Sequence, residues 1–343
     1  MTDPKVAIII LNWNGQYFLE KFLPSVYNST YSNLEFIVGD NGSTDDSLLF
    51  LSQHYPKIKV ISNDQNYGFA EGYNRIIEKC PHADYYILLN SDVEVTPTWI
   101  EPMVRYMEDN PHLAAIQPKI MAWHQRNNFE HAGAAGGFID RWGYPFCRGR
   151  LFDQVEVDNG QYDQFSEIFW ASGAAFMIRK TCWDQSGGFD PLFFAHMEEI
   201  DLCWRLKRMG YGIGFCPEAK VYHVGGGTLK KQDSKKTYLN FRNNLWMLQK
   251  NLPKAGKNWT LFVRLFLDFI ALLKFVFAGQ FRNALAVHKA HVSFFKHFYT
   301  MQKKREQDQQ YPYNVSGVYQ GSIVWAYFAQ HIRKFSALTK NFR

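Results

Sequence analysis

Residues 6–15 read VAIIILNWNG, and the segments after them repeat one grammar: LEFIVGD at 34–40, KVISN at 59–63 and YYILLN at 85–90, separated by helical stretches near 16–28, 44–54 and 69–79. VAIIIL is a continuous apolar, β-branched run of strand length, the pattern of a strand buried on both faces. Strand, helix, strand, repeated, predicts an α/β fold built on a mostly parallel, doubly wound sheet. Ligands of such sheets lie beyond the carboxyl ends of the strands. The polar residues fall there: Asn12 and Asn14, Asp40 and Asn41, Asn63 and Asp64, Asn90 and Asp92.

Further along, EHAGAAGG (130–137) reads as loop and FWASGAAFMIRK (169–180) returns to strand character. FDPLFFAHMEEIDLCWRLKRMGYG (189–212) gives a loop and then a strong helix with an acidic first turn, which suits the helix dipole. GFCPEAKVYHVGGGT (214–228) reads as strand and glycine loop, and from about 237 the chain turns helical and basic. Overall usage is 46% hydrophobic and 20% charged, which excludes the disordered, collagen-like and low-complexity classes. The net charge of +6 hides a polarity. Residues 1–219 carry 17 Lys/Arg against 28 Asp/Glu, or −11, whereas residues 220–343 carry 21 against 4, or +17. An acidic first part is compatible with a bound metal, and a basic end predicts an anionic partner. Five scattered cysteines without a C-x-x-C pair predict a reduced, cytosolic compartment and no thiolate zinc site. Asp3 and the short apolar run after it argue against a signal peptide.

Four features could carry chemistry. Asn90-Ser91-Asp92 ends an apolar strand, where a carboxylate can hold a hard divalent ion against a diphosphate; capping of the next segment by Asp92 is equally open on spacing alone. His223 opens a glycine loop and could complete a metal site or be structural. Glu198, Glu199 and Asp201 crowd a helix start, either as a general base with raised proton affinity or as acids complementing the helix dipole. In NYGFAEGYN (66–74), Gly68 precedes a helix whose amides can approach phosphate or sugar oxygens, without the G-x-G-x-x-G spacing of a dinucleotide site.

The order of VAIIILNWNG, VGDNGSTDDS, NYGFAEGYN, LLNSDVE, WASGAAFMIRK, GGFDPLFFAHMEEIDLCWRLKRMGY and YHVGGGT, over about residues 5–250, resembles the family 2 glycosyltransferases, which have the GT-A fold, and within them the rhamnosyltransferase-like branch of bacterial surface polysaccharide synthesis. The resemblance implies a catalytic domain over 1–236, with nucleotide binding to about 110 and acceptor binding over 111–236, followed by a C-terminal helical region over 237–343. It implies that Asp40 bonds the pyrimidine base and that Asn12, Trp13 and Asn14 line the nucleotide pocket, with Asn66, Gly68, Asn74, Asn90 and Ser91 on the same nucleotide-sugar side. Asp92 matches the last acid of the D-x-D motif that coordinates Mn²⁺ or Mg²⁺, here with Asn90 in the first place, and His223 matches a histidine of the metal shell. Glu199 matches the base that deprotonates the acceptor, in a place where Asp is usual, with Glu198 as its rival. Gly173, Trp204 and Arg205 match acceptor-side positions, and Asp201 is expected to hold the helix to the loop.

WTLFVRLFLDFIALLKFVFAG (259–279) has the length of a membrane span, but Arg264, Asp268 and Lys274 interrupt it in one polar stripe. The next stretch, 281–305, sets Phe281, Leu285, Val292, Phe295 and Tyr299 near one face and Arg282, Lys289, Lys296 and Lys303 along another. Two helices lying on the cytoplasmic face of the inner membrane are expected, with packing on the catalytic domain or a homodimer partner as the alternative. Lysines interleaved with large apolar residues argue against nucleic acid. The expected function is metal-dependent inverting transfer of a sugar from a UDP-, dTDP- or GDP-linked donor to a glycan or lipid-linked hydroxyl. The competing readings are a non-catalytic sugar-nucleotide binder or scaffold, kept inactive by the incomplete D-x-D, and a nucleotidyltransferase, for which NWNGQYF supplies no basic phosphate loop.

Overall fold

The computed structural model describes residues 3–225, 233–307, 315–339 and 341–343. The chain runs β1 (Val6–Asn12), α1 (Gln16–Tyr27), β2 (Leu34–Asp40), α2 (Ser47–His54), β3 (Lys59–Ser62), α3 (Gly68–Glu78), β4 (Tyr85–Asn90), β5 (Val93–Val95), α4 (Ile100–Asp109) and β6 (Leu113–Ala122). Five short strands follow, β7 (Gly137–Asp140), β8 (Pro145–Cys147), β9 (Arg150–Leu151), β10 (Gln154–Val155) and β11 (Ser166–Glu167), then β12 (Ala175–Arg179), α5 (Lys180–Ser186), α6 (Glu198–Arg208) and β13 (Gly212–His223). The C-terminal part holds α7 (Ser234–Asn251), α8 (Lys257–Phe277), α9 (Phe281–Lys296), α10 (Phe298–Gln307), β14 (Val318–Tyr319) and α11 (Ile323–Phe328).

The main sheet has the order β11-β13-β6-β12-β4-β1-β2-β3, with β5 paired to β13. The four strands expected from the apolar runs form a parallel half, in which Asn12 stands opposite Asp40 and Leu11 opposite Asn90. Their polar ends therefore reach one level and form one edge of the site. Alternate residues of β1 serve two cores: Val6, Ile8 and Ile10 pack with Leu19 and Leu23, while Ala7 and Ile9 pack with Tyr73 and Ile76. Beyond β4 the sheet is mixed, because β12 runs antiparallel to both β4 and β6. Apolar runs do not encode strand direction, so the sequence pattern shows only that a strand is there.

The C-terminal region is also not helical throughout. Val318 pairs with Ile139 in a second, five-stranded sheet of order β10-β9-β8-β7-β14. The helix expected over 281–305 breaks at His297, whose Nδ1 lies 2.9 Å from the Ser293 carbonyl oxygen. On α8 the first two charges of the polar stripe face inward, while Lys274, the third, is exposed. Arg264 and Asp268 are buried and pair at 3.3 Å, and the Arg264 guanidinium donates to the Gly143 carbonyl at 3.1 Å and stacks 3.6 Å from the Tyr144 ring. All five cysteines are free. No helix of the described residues is long and apolar enough to cross a membrane.

Candidate functional site

Two loops at the carboxyl edge of the parallel strands are stitched to each other. Asn12, fully buried, donates from Nδ2 to Ser43 Oγ at 3.2 Å and to Asp40 Oδ1 at 3.5 Å, and Asp40 also accepts from the Ser43 amide at 3.0 Å. Asn14, in the left-handed region at φ 49°, accepts from the Thr44 amide at 2.7 Å, and Asp45 accepts from the Gln16 amide at 3.0 Å. Trp13 projects from this floor and is 44% exposed, as a side chain free to stack on a planar ring would be. The N-S-D segment meets the same floor at Gly15, where an added Cβ would lie 2.4 Å from Asn12 Oδ1 and 3.5 Å from Ser91 Oγ. Asn12 Oδ1 is buried and accepts no hydrogen bond, a cost that a bound donor group would relieve.

NYGFAEGYN plays a different part from the phosphate cradle expected of it. The Gly68 amide donates to Asn66 Oδ1 at 2.8 Å, and the Phe69 and Ala70 amides both donate to the Phe194 carbonyl, at 2.7 and 3.2 Å. The free amides of the helix start are thus already taken. Gly68 has φ 78°, and a Cβ there would lie 2.5 Å from the Phe194 ring, so glycine is required by close packing. Asn41 ties this turn down by donating to Asn66 Oδ1 and to the Gly68 carbonyl. Asn74 uses both ends of its amide on the Phe189 backbone, at 2.8 and 3.0 Å. Asn66, Gly68 and Asn74 therefore fix the segment that leads into α6.

That segment is strained. Phe194, His196 and Met197 have φ of 64°, 69° and 71°, and non-glycine residues in that region cost about 1–3 kcal/mol each. Asn243 of α7 offsets this by donating from Nδ2 to the carbonyls of Phe193, Ala195 and His196, at 2.9, 2.9 and 2.7 Å. The clamp presents Glu198 and Glu199 at the start of α6. Each has a buried carboxylate oxygen without a hydrogen-bond partner. Burial pushes the Glu199 carboxyl up to about 7, and burial together with the neighbouring Glu199 charge raises Glu198 well above the usual carboxylate range. Burial likewise lowers His196 to about 4, so its imidazole is neutral.

Asp201 has a structural task, as expected, but its partners lie on α6 itself and on α7 and not on the loop. It accepts from Arg205 Nε at 2.9 Å, Lys250 Nζ at 2.8 Å and Asn251 Nδ2 at 2.7 Å, locking α6 to α7. Trp204 and Arg205 lie inside the packing. Trp204 is 2% exposed with its ring edge-on to Phe169, and Arg205 donates to the Ser186 and Gly188 carbonyls at 2.5 and 2.6 Å. Gly173, in contrast, borders Glu199: a Cβ at that glycine would lie 3.3 Å from the Phe69 ring and 3.8 Å from the Glu199 Cβ.

Asp92 and His223 meet although they are far apart in sequence, because β5 pairs with the end of β13. His223 Nε2 lies 3.1 Å from Asp92 Oδ1, and on the other side of the ring Nδ1 lies 3.4 Å from Glu130 Oε2. Burial alone would lower the His223 pKa, but the two carboxylates outweigh it and raise it to about 10. Glu130, at the start of a segment that reads as loop, has no sequence signal linking it to His223. Of the glycine loop after His223, Gly225 is described and residues 226–228 lie outside the described residues. Among the described residues no three His, Cys, Asp or Glu side chains form a ready metal cage. Asp92 and His223 would hold an ion such as Mg²⁺ or Mn²⁺, leaving open positions for substrate phosphate oxygens, once the ion displaces the proton between Asp92 and the ring, with Glu130 orienting the ring from behind.

A family model described as glycosyl transferase family 2 matches residues 7–180. The N-acetylglucosaminyl-diphospho-decaprenol L-rhamnosyltransferase of Mycobacterium tuberculosis is 26% identical over 244 residues, covering 65% of this chain and 76% of that one. Among solved structures, GalNAc-T7 with UDP, GalNAc and Mn²⁺ matches with a TM-score of 0.57 at 16% identity, over 72% of this chain and 48% of the other, so this chain spans about half of that enzyme's length. The mannosyltransferase PcManGT from Pyrobaculum calidifontis, in complex with GDP-Man and Mn²⁺, matches with a TM-score of 0.52 at 14% identity, over 90% of this chain and 86% of that chain. At these identities both likenesses speak to the fold, which is GT-A.

Proposed function

Because the chain belongs to glycosyl transferase family 2, we propose that it moves a sugar, with inversion, from a nucleotide-diphosphate donor to a hydroxyl of a lipid-linked glycan during surface polysaccharide synthesis, on the cytoplasmic face of the inner membrane. The observation that carries this reading is a short path of contacts from the donor-side strand ends to the buried carboxylate. The Asn90 amide donates to the Ala174 carbonyl at 2.9 Å, and Gly173, next in the chain, borders Glu199. Donor groups and base therefore flank one stretch of backbone.

In this reading residues up to about 110 hold the donor, with Asp40 and Asn12 toward the base, Trp13 beside it and the Asn90–Asp92 segment toward the diphosphate. Residues 111–236 form the acceptor side. A divalent ion held by Asp92 and His223 would neutralise charge on the departing diphosphate. Glu199 takes the proton of the attacking hydroxyl, in the burial that keeps its carboxyl basic enough to do so near neutral pH. Single displacement with inversion requires no covalent nucleophile. The rhamnosyltransferase relative named above acts on a diphospho-decaprenol acceptor by its name, which supports a lipid-linked acceptor here.

Donor binding tests the reading without turnover. Titration calorimetry with UDP-, dTDP- and GDP-sugars is expected to give binding for one nucleotide class that tightens when Mn²⁺ or Mg²⁺ is present. Asp92→Ala is expected to abolish that tightening, weakening metal-dependent binding by roughly 100-fold. Binding to Asp92→Ala as tight as to the wild type would remove Asp92 from the metal site.

A further inference from the structure

The outer side of the C-terminal helices is inverted relative to an ordinary protein surface. Along α8, Trp259, Phe262, Phe266, Phe269, Leu273 and Phe277 follow each other at steps of three and four residues and are 37–86% exposed, while the charged Arg264 and Asp268 are buried beneath them. On α9 the residues facing the core are Ala284, Val287, Ala290 and Phe294, and the opposite side shows Phe281, Leu285, Val292 and Phe295 to solvent. Monomeric proteins do not leave apolar stripes of this extent bare, so the face has a partner.

The charges beside the stripe identify that partner. Arg282, Lys289 and Lys296 of α9 are exposed and recur every seven residues, which sets a basic row alongside the apolar one, and the exposed Lys303 follows on α10. Between residues 234 and 305 the single acid is Asp268, and it is spent on Arg264. A second copy of the chain would bring two such cationic rows together with no carboxylate to pair them. A surface that offers apolar depth beneath a layer of negative charge satisfies both rows. No helix of the described residues can cross a bilayer, so the contact is interfacial.

We propose that α8 and α9 dock side-on onto an anionic lipid bilayer, with the aromatic stripe in the acyl boundary and the basic row at the headgroups. This rests on the lipid-linked acceptor of the proposed function and gives it a physical basis: the buried inner faces of the same helices pack against α7, which carries the Asn243 clamp. The inner face packs on the protein, and in this proposal the outer face of the same helices meets the membrane.

Flotation with vesicles tests this on the full chain. Vesicles containing phosphatidylglycerol are expected to bind the wild type at least about tenfold more tightly than pure phosphatidylcholine vesicles, and salt should weaken the difference. The variant Phe262→Asp/Phe266→Asp/Phe277→Asp should lose binding by about 100-fold without a change in thermal midpoint, since all three side chains are exposed. Arg282→Glu/Lys289→Glu/Lys296→Glu should lose the preference for anionic lipid. Wild-type protein that stays unbound, or an aspartate variant that binds as well as the wild type, overturns the proposal. So does a wild-type dimer in light scattering that the aspartate variant dissolves without any vesicle binding, which would assign the face to a second copy. Donor binding measured on the same preparations should be equal in all variants, so wild-type protein that binds donor but stays unbound to vesicles overturns this inference and leaves the proposed sugar transfer standing.

Discussion

Glu199→Gln is expected to lower the transfer rate by roughly 1000-fold while leaving donor affinity unchanged. The amide keeps the shape of the carboxyl and cannot accept the hydroxyl proton. The pH profile gives the second signature. With its carboxyl raised to about 7, the wild type holds the base protonated and inactive at pH 6, and its rate climbs through pH 7 to a plateau above it; the residual rate of Glu199→Gln should lack that limb. Stability moves the other way. A carboxyl whose folded pKa lies above its unfolded value stabilises the fold at low pH and loses that contribution as pH rises through about 7. The variant at pH 8 should therefore melt no lower than the wild type, which separates lost chemistry from lost folding. If Glu198→Gln is the inactive variant and Glu199→Gln is active, the base is Glu198.

The second large effect concerns a residue that touches no reactant. Asn243→Asp keeps the volume but replaces the donating amide with a carboxylate that faces three carbonyl oxygens. The strained segment from Phe194 to Met197 then loses the side chain that holds it. A buried acceptor left unsatisfied costs about 1–3 kcal/mol, enough to let the segment relax and carry Glu199 out of position. The expected result is a fall in kcat of about 10- to 100-fold with donor Kd unchanged, because the bonds of Asn12, Asn14, Asp40 and Asp45 are made within the two strand-end loops and none involves α7. A purely structural role would weaken kcat and donor binding together through loss of folded protein. Wild-type kcat in Asn243→Asp would show that the clamp is dispensable.

What the sequence disclosed and what it withheld follow from the range of the forces involved. The parallel half of the sheet was legible because each strand is a continuous apolar run, and the polar residues at its edge were legible because chain order puts them there. Helix α6 and its acidic start were legible for the same local reason. The antiparallel insertion of β12 was not, since alternation carries no direction, and β14 is only two residues long. Glu130 and Asn243 were missed because each acts on a partner distant in sequence, and neither sits in a recognisable pattern. Trp204 and Arg205 were placed by motif position, but packing against Phe169 and against the turn at 186–188 absorbs them. The stripe through Arg264 and Asp268 was visible as periodicity. Which way it points depends on the Gly143 carbonyl and the Tyr144 ring that receive it, more than a hundred residues upstream.

The charge polarity of the chain now has a structural counterpart: the acidic part holds the carboxylates assigned to ion and base, and the basic part carries the exposed apolar face. Nucleotide release bears most directly on the claim that these parts make one transferase. The full chain, supplied with UDP-, dTDP- and GDP-sugars and a lipid-linked glycan extract, is expected to release nucleotide from one donor class, with Mn²⁺ or Mg²⁺ present and not after chelation, and to lose that release in Glu199→Gln. Binding of a donor without release under any of these conditions would contradict the account and make the protein a sugar-nucleotide binder.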